Sequence, residues 1–69
     1  MPLTMAQTGQ RQTIRKVTGG DEIRRHLANM GFVAGESVTV VTALGGNVIL
    51  QVKDSRIALD KSLANRILI

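Results

Sequence analysis

The sequence predicts a mainly β fold with one helix: a small, partly open barrel of about five strands, with the helix inserted between the first two. Three observations carry this expectation. Seven glycines in 69 residues fall between segments of different periodicity. Residues 21–30 have helical spacing, whereas residues from 36 onward alternate with a period of two. A sheet this small buries its apolar face by curling closed or by packing under the helix, and five short strands with tight turns favour closure.

The elements follow in order. Thr4 to Gly9 reads as a short helical turn, with Thr4 as its cap and Gly9 as its stop. Gln10 to Thr18 reads as a strand with imperfect alternation. Its Ile14 and Val17 are three apart, which predicts a bulge or a strand end between them. Asp21 to Met30 reads as the helix. Gly20-Asp21 supplies the capping signal, and Glu22 adds a second acid to the first turn, where the helix dipole favours negative charge. Ile23, Leu27 and Met30 make one apolar stripe, and Arg24, Arg25 and Ala28 point away from it. Gly31 suits the left-handed position that ends a helix, and Phe32-Val33 can fold back as an apolar contact beyond it.

The second half reads as a three-stranded meander. Val38 and Val40 share a face opposite Thr39 and Val41. Leu44-Gly45-Gly46-Asn47 is a turn. Val48, Leu50 and Val52 then alternate with Ile49, Gln51 and Lys53. Asp54-Ser55 is a second tight turn, and Ile57 and Leu59 alternate with Arg56 and Ala58. Asp60 can cap a helical turn over Lys61 to Asn65. Ile67-Leu68-Ile69 closes the sequence as a short apolar strand that must be paired inside the fold, because an exposed aliphatic edge invites aggregation.

Composition narrows function. The length is that of one small domain, residues 1–69, and hydrophobic residues make up 43%. The absence of cysteine excludes disulfides and thiolate metal sites. The first residues lack the pattern of a signal peptide, and no apolar run approaches the roughly 20 residues of a membrane span, so a cytoplasmic location is expected. The net charge of +4 permits an acidic partner, nucleic acid or an anionic surface without choosing among them. His26 is the only histidine. Glu22 lies four residues before it, which places a carboxylate beside the imidazole but provides only two candidate metal ligands. Ser37, Ser55 and Ser62 have no histidine nearby in sequence, so no catalysis is expected. Gly19-Gly20 precedes a helix start occupied by two acids, which repel phosphate. Met1, Met5 and Met30 read as core filler. A nucleic-acid-binding small barrel is the alternative class. It is weakened by having a single aromatic residue, Phe32, because such barrels stack bases on exposed aromatics.

The stretch from Arg24 to Gly35 has a more specific pattern: a basic pair Arg24-Arg25, then Leu27, Met30-Gly31, Phe32 and Gly35. This resembles the signature of the FeoA family, small proteins of bacterial ferrous-iron uptake. Leu3, Met5 and Gly9 look like that family's opening turn, with Met5 in place of the usual Leu. Leu44-Gly45 resembles the end of its Pro-Leu-Gly turn, with Ala43 replacing the Pro. Ile57, Ala58 and Leu59 look like its next strand. The resemblance runs over essentially the whole chain. It implies an SH3-like small barrel of the kind that also ends iron-dependent repressors of the DtxR type. It further implies a non-enzymatic, cytoplasmic accessory role with FeoB, a ferrous transporter carrying a cytoplasmic GTP-binding domain. The chain itself would touch the membrane only through that partner, and neither cofactor nor nucleic acid is expected. The expected contact surface is Arg24, Arg25 and Ala28 on the helix together with Leu44, Gly45, Gly46 and Asn47 in the turn. Leu27, Met30, Gly31, Phe32 and Gly35 are expected to shape the fold.

Overall fold

The computed structural model describes residues 1–69. A 3-10 turn, Leu3–Met5, is followed by strand β1 (Arg11–Thr13), strand β2 (Lys16–Val17) and helix α1 (Asp21–Asn29). Strands β3 (Ser37–Leu44), β4 (Asn47–Val52) and β5 (Ser55–Asp60) come next, then helix α2 (Lys61–Ala64) and strand β6 (Ile67–Leu68). One antiparallel sheet has the order β1-β3-β4-β5, and β2 pairs antiparallel with β6 in a second.

The meander follows the alternation of its sequence. Val48, Leu50 and Val52 of β4 point inward, with Val38 and Val40 of β3 and Leu59 of β5 buried beside them. Leu3, Ile14, Leu27, Phe32, Ala64 and Ile67 complete a single core. Each fully buried large aliphatic or aromatic side chain contributes roughly 1.5–3 kcal/mol. The accessible surface is 4258 Å², close to the roughly 4,200 Å² of a folded monomer of this mass. The core is therefore closed without help from another chain.

The structure departs from the expected elements at several places. The single strand Gln10–Thr18 is two strands, β1 and β2, in different sheets. The break lies at Ile14, whose side chain is buried. Its N–H donates to Glu36 O (2.9 Å) and its carbonyl accepts from Gly35 N–H (2.8 Å), while Arg15 N–H already donates to Leu68 O (2.8 Å). The helix consequently lies between the second and third strands rather than the first two. The β4–β5 loop is Lys53-Asp54 rather than Asp54-Ser55, since Ser55 pairs with Val52. Lys53 takes a φ of +52°, which tight turns usually give to Gly, Asn or Asp, so the sequence offered no signal there. Val41 sits at a register shift between Val40 and Thr42 instead of continuing the alternation, and Val40 O accepts from Gly9 N–H (2.7 Å).

The opening turn is shorter than expected. Thr4 lies inside it and bonds Asn65 with its hydroxyl rather than capping the turn. Finally, Met1 and Met5 are exposed, and only Met30 packs against the core, because the turn turns Leu3 inward in their place.

The apolar last strand is paired on both sides, as its composition required. Lys16 and Val17 face Leu68 and Ile67 across one edge. On the other, Pro2 bridges Leu68, and Ile69 N–H donates to Met1 O (2.8 Å). Asp60 joins β5 to α2. Its Oδ1 accepts from Leu63 N–H and from the Ser62 hydroxyl, both at 2.8 Å, and these bonds hold its carboxyl below the usual aspartate range.

Two expectations follow. Ile14→Ala should destabilise the protein by about 2–5 kcal/mol in denaturant unfolding, as truncations at filled core sites do, whereas Thr13→Ala at the exposed neighbour should change stability little. Because the ionised form of Asp60 is favoured in the folded state, its contribution is complete above pH 3.8, the ordinary aspartate value, and is lost as pH falls through the lower folded value. Asp60→Asn keeps a cap oxygen without the charge. The stability gap between the two proteins should hold from neutral pH down to about pH 4 and then close; a gap independent of pH would disprove the assignment.

Candidate functional site

The expected contact surface rests on α1 and on the β3–β4 turn. In α1 and its C-cap, Ile23 and Met30 are half-buried, Leu27 is fully buried, and Arg24, Arg25, His26 and Ala28 are exposed, so the apolar stripe and the outward face fall as the spacing predicted. Arg24 pairs with Asp21 three residues earlier. Arg25 forms no ion pair and is the free cation of this face. His26 and Glu22 are both exposed and do not pair, and no three His, Asp or Glu side chains converge anywhere in the chain. At the turn, Leu44 is 64% exposed, Gly45 has a φ of +59°, and Leu44 pairs with Asn47. The turn is tied to α2, because Gly46 O accepts from Lys61 N–H (2.9 Å).

The structure does not bring these two patches together. Gly31, just after α1, stands against Val52 at the far end of β4 from the turn. Six strand residues separate the ends by about 17 Å at ~3.3 Å each. A partner touching both must span the length of the sheet.

The motif residues lie beneath this surface and make a helix stop. Gly31 has a φ of +100°. Its N–H donates to Ala28 O (2.9 Å), and Phe32 N–H donates to Leu27 O (3.0 Å). These two bonds, with the buried contact partners Leu27 and Phe32, form a Schellman motif. Val33, expected to join Phe32 in folding back, is instead 39% exposed. Gly35 (φ +91°) provides the N–H that holds the Ile14 carbonyl. Met30 packs on the core edge.

Sequence spacing missed another surface. On the outer face of the four-stranded sheet, Arg11, Glu36, Ser37, Thr39, Gln51 and Lys53 line a cup of about 350 Å³ with no apolar wall. These residues are scattered over 43 positions and meet only through strand register.

A family model for the FeoA domain matches residues 1–69. The chain belongs to the FeoA family. It is 31% identical over 68 residues to the Fe(2+) transport protein A assigned to Methanocaldococcus jannaschii, covering 99% of this chain and 83% of that one. Among solved structures, it superposes with a TM-score of 0.89 on an iron uptake regulatory protein, FeoA, at 28% identity, covering 97% and 91% of the two chains. It also superposes with a TM-score of 0.86 on zinc-complexed FeoA of Stenotrophomonas maltophilia, at 31% identity over 99% and 87%. That protein is described as a prokaryotic SH3 domain protein and put forward as a ferrous iron transport activating factor. The small barrel of this FeoA chain is thus SH3-like.

The helix stop and the helix surface should separate in mutagenesis. Gly31→Ala forces a side chain into a left-handed backbone and should cost about 1–2 kcal/mol in denaturant unfolding. Arg25→Glu, on the exposed face, should stay within about 0.5 kcal/mol of the parent.

Proposed function

We propose that the chain is a non-enzymatic accessory protein of ferrous-iron uptake, acting in the cytoplasm by binding the GTP-binding domain of an FeoB-type transporter. The observation that carries this reading is the match of residues 1–69 to the FeoA domain, supported by relatives of similar length named for iron transport or uptake. The chain's chemistry is compatible with contact rather than catalysis. Its single histidine is exposed and unpaired, and its buried residues are all apolar. No helix is long and apolar enough to cross a membrane, so transport itself would lie with the partner.

The contact surface in this reading is the outward face of α1, with Arg25 as the free cation beside Arg24 and Ala28, and the Leu44–Asn47 turn as a second point. An acidic face on the partner would complement the net charge of +4.

The test is a titration of isotope-labelled protein with the isolated GTP-binding domain of its cognate transporter, at physiological salt, where exposed charges are screened beyond about 8 Å. Amide shifts should cluster on residues 21–28 and 44–47. Arg24→Glu with Arg25→Glu should abolish them without unfolding the protein. Unchanged affinity in that double variant overturns the surface, and no shifts at all overturns the partner.

A further inference from the structure

The outer face of the four-stranded sheet carries a row of residues that strand register alone assembles. Arg11 pairs with Thr39, Thr39 with Gln51, and Gln51 with Arg56, so one polar row crosses all four strands. At ~4.8 Å between strands, the row spans about 14 Å between its terminal arginine backbones. Arg56 Nε donates to Gln51 Oε1 (3.2 Å), which confirms that both side chains share this face. Lys53, held at positive φ in the β4–β5 turn, adds a third cation to this face and is the second in the cup, after Arg11, that Thr39 and Gln51 also line. Glu36 is the single acid in that cup and forms no ion pair with either cation, and Asp54 is the exposed neighbour of Lys53 in the turn. The next outward row is apolar or nearly so: Thr42, Ile49 and Ala58 pair across β3, β4 and β5. Ile49 is half-buried but lies outside the core cluster, so its side chain serves no packing inside the barrel.

We propose that this face binds an extended acidic polypeptide segment, with its carboxylates on Arg11, Lys53 and Arg56 and an apolar side chain on the Ile49–Ala58 step. Charge complementarity supplies the argument for that occupant: three cations without a carboxylate partner stand on one sheet face, Arg11 and Arg56 at the ends of the polar row and Lys53 beside it in the turn, on a chain of net charge +4. The length of the row exceeds what one small oxyanion covers. Nucleic acid would have nothing to stack on, since the only aromatic residue, Phe32, is 1% exposed and points into the core. The proposal does not rest on the iron-uptake reading and uses residues different from the α1 surface.

The test uses the whole protein, isotope-labelled, titrated with an acetylated and amidated peptide of sequence Glu-Glu-Leu-Glu-Glu. Inorganic phosphate and a single-stranded thymidine oligonucleotide are titrated separately at matched charge concentration. The peptide should shift the amides of Arg11, Thr39, Gln51, Lys53 and Arg56. Arg11→Gln with Lys53→Gln and Arg56→Gln, all exposed positions, should weaken peptide binding by about tenfold, the sum of three exposed ion pairs. Removing the same charge elsewhere, by Arg15→Gln with Lys61→Gln and Arg66→Gln, should leave it within about twofold. Equal shifts with phosphate would assign the cup to small oxyanions, and equal shifts with the oligonucleotide would assign the face to nucleic acid. Either result overturns the proposal, as do shifts centred on α1 or equal weakening by both triple variants.

Discussion

The fold depends on the corner at Ile14. A chain that runs straight from Gln10 to Thr18 belongs to one sheet and leaves the other without an edge. Here the chain leaves the four-stranded sheet at Thr13 and enters the two-stranded one at Lys16. The turn is possible because the Gly35–Glu36 segment satisfies both backbone groups of Ile14, so a buried corner carries no unpaired polar group. The same side chain fills the core between the two sheets, and the bonds of β2 to β6 then seal the apolar last strand. Closing a small barrel in this way removes the need for disulfides or metal in a chain without cysteine.

Gly35 links that corner to the helix. The Schellman stop at Gly31 sends the chain back so that Leu27 and Phe32 enter the same core, and four residues later Gly35 reaches Ile14. Four of the residues that carry the family resemblance are occupied in folding: Leu27 and Phe32 in packing, Gly31 and Gly35 in left-handed backbone. The proposed contact surface uses exposed side chains beside them, among them the motif's own Arg24 and Arg25. Arg25 sits on the outside of the helix that this motif ends, and its position is set by the packing of Ile23, Leu27 and Met30 beneath.

The charge distribution gives this small surface two distinct faces. On α1 the cations adjoin acids, and Arg24 is already paired with Asp21, which leaves a locally mixed potential. On the sheet, Arg11, Lys53 and Arg56 face outward with only Glu36 among them in the cup and Asp54 beside it. Exposed pairs are individually worth little, so several cations on one face matter more than any one of them. The two faces are carried by different elements, so a perturbation of one leaves the other in place.

Local sequence signals determined the elements whose causes are local. The α1 stripe, its stop at Gly31, the three inward positions of β4 and the cap at Asp60 follow from spacing and residue type within a few positions. The need to pair Ile67–Ile69 was legible as well, because exposed aliphatic strands are costly wherever they lie. Tertiary structure decided what depends on distant partners. Ile14 turns from one sheet to the other because Gly35 and Glu36 lie beside it, and Lys53 is forced to positive φ by the pairing of Val52 with Ser55. Met5 is left outside because Leu3 takes the core position. The polar row of Arg11, Thr39, Gln51 and Arg56 exists only in register, where one residue of slip would turn each side chain to the opposite face.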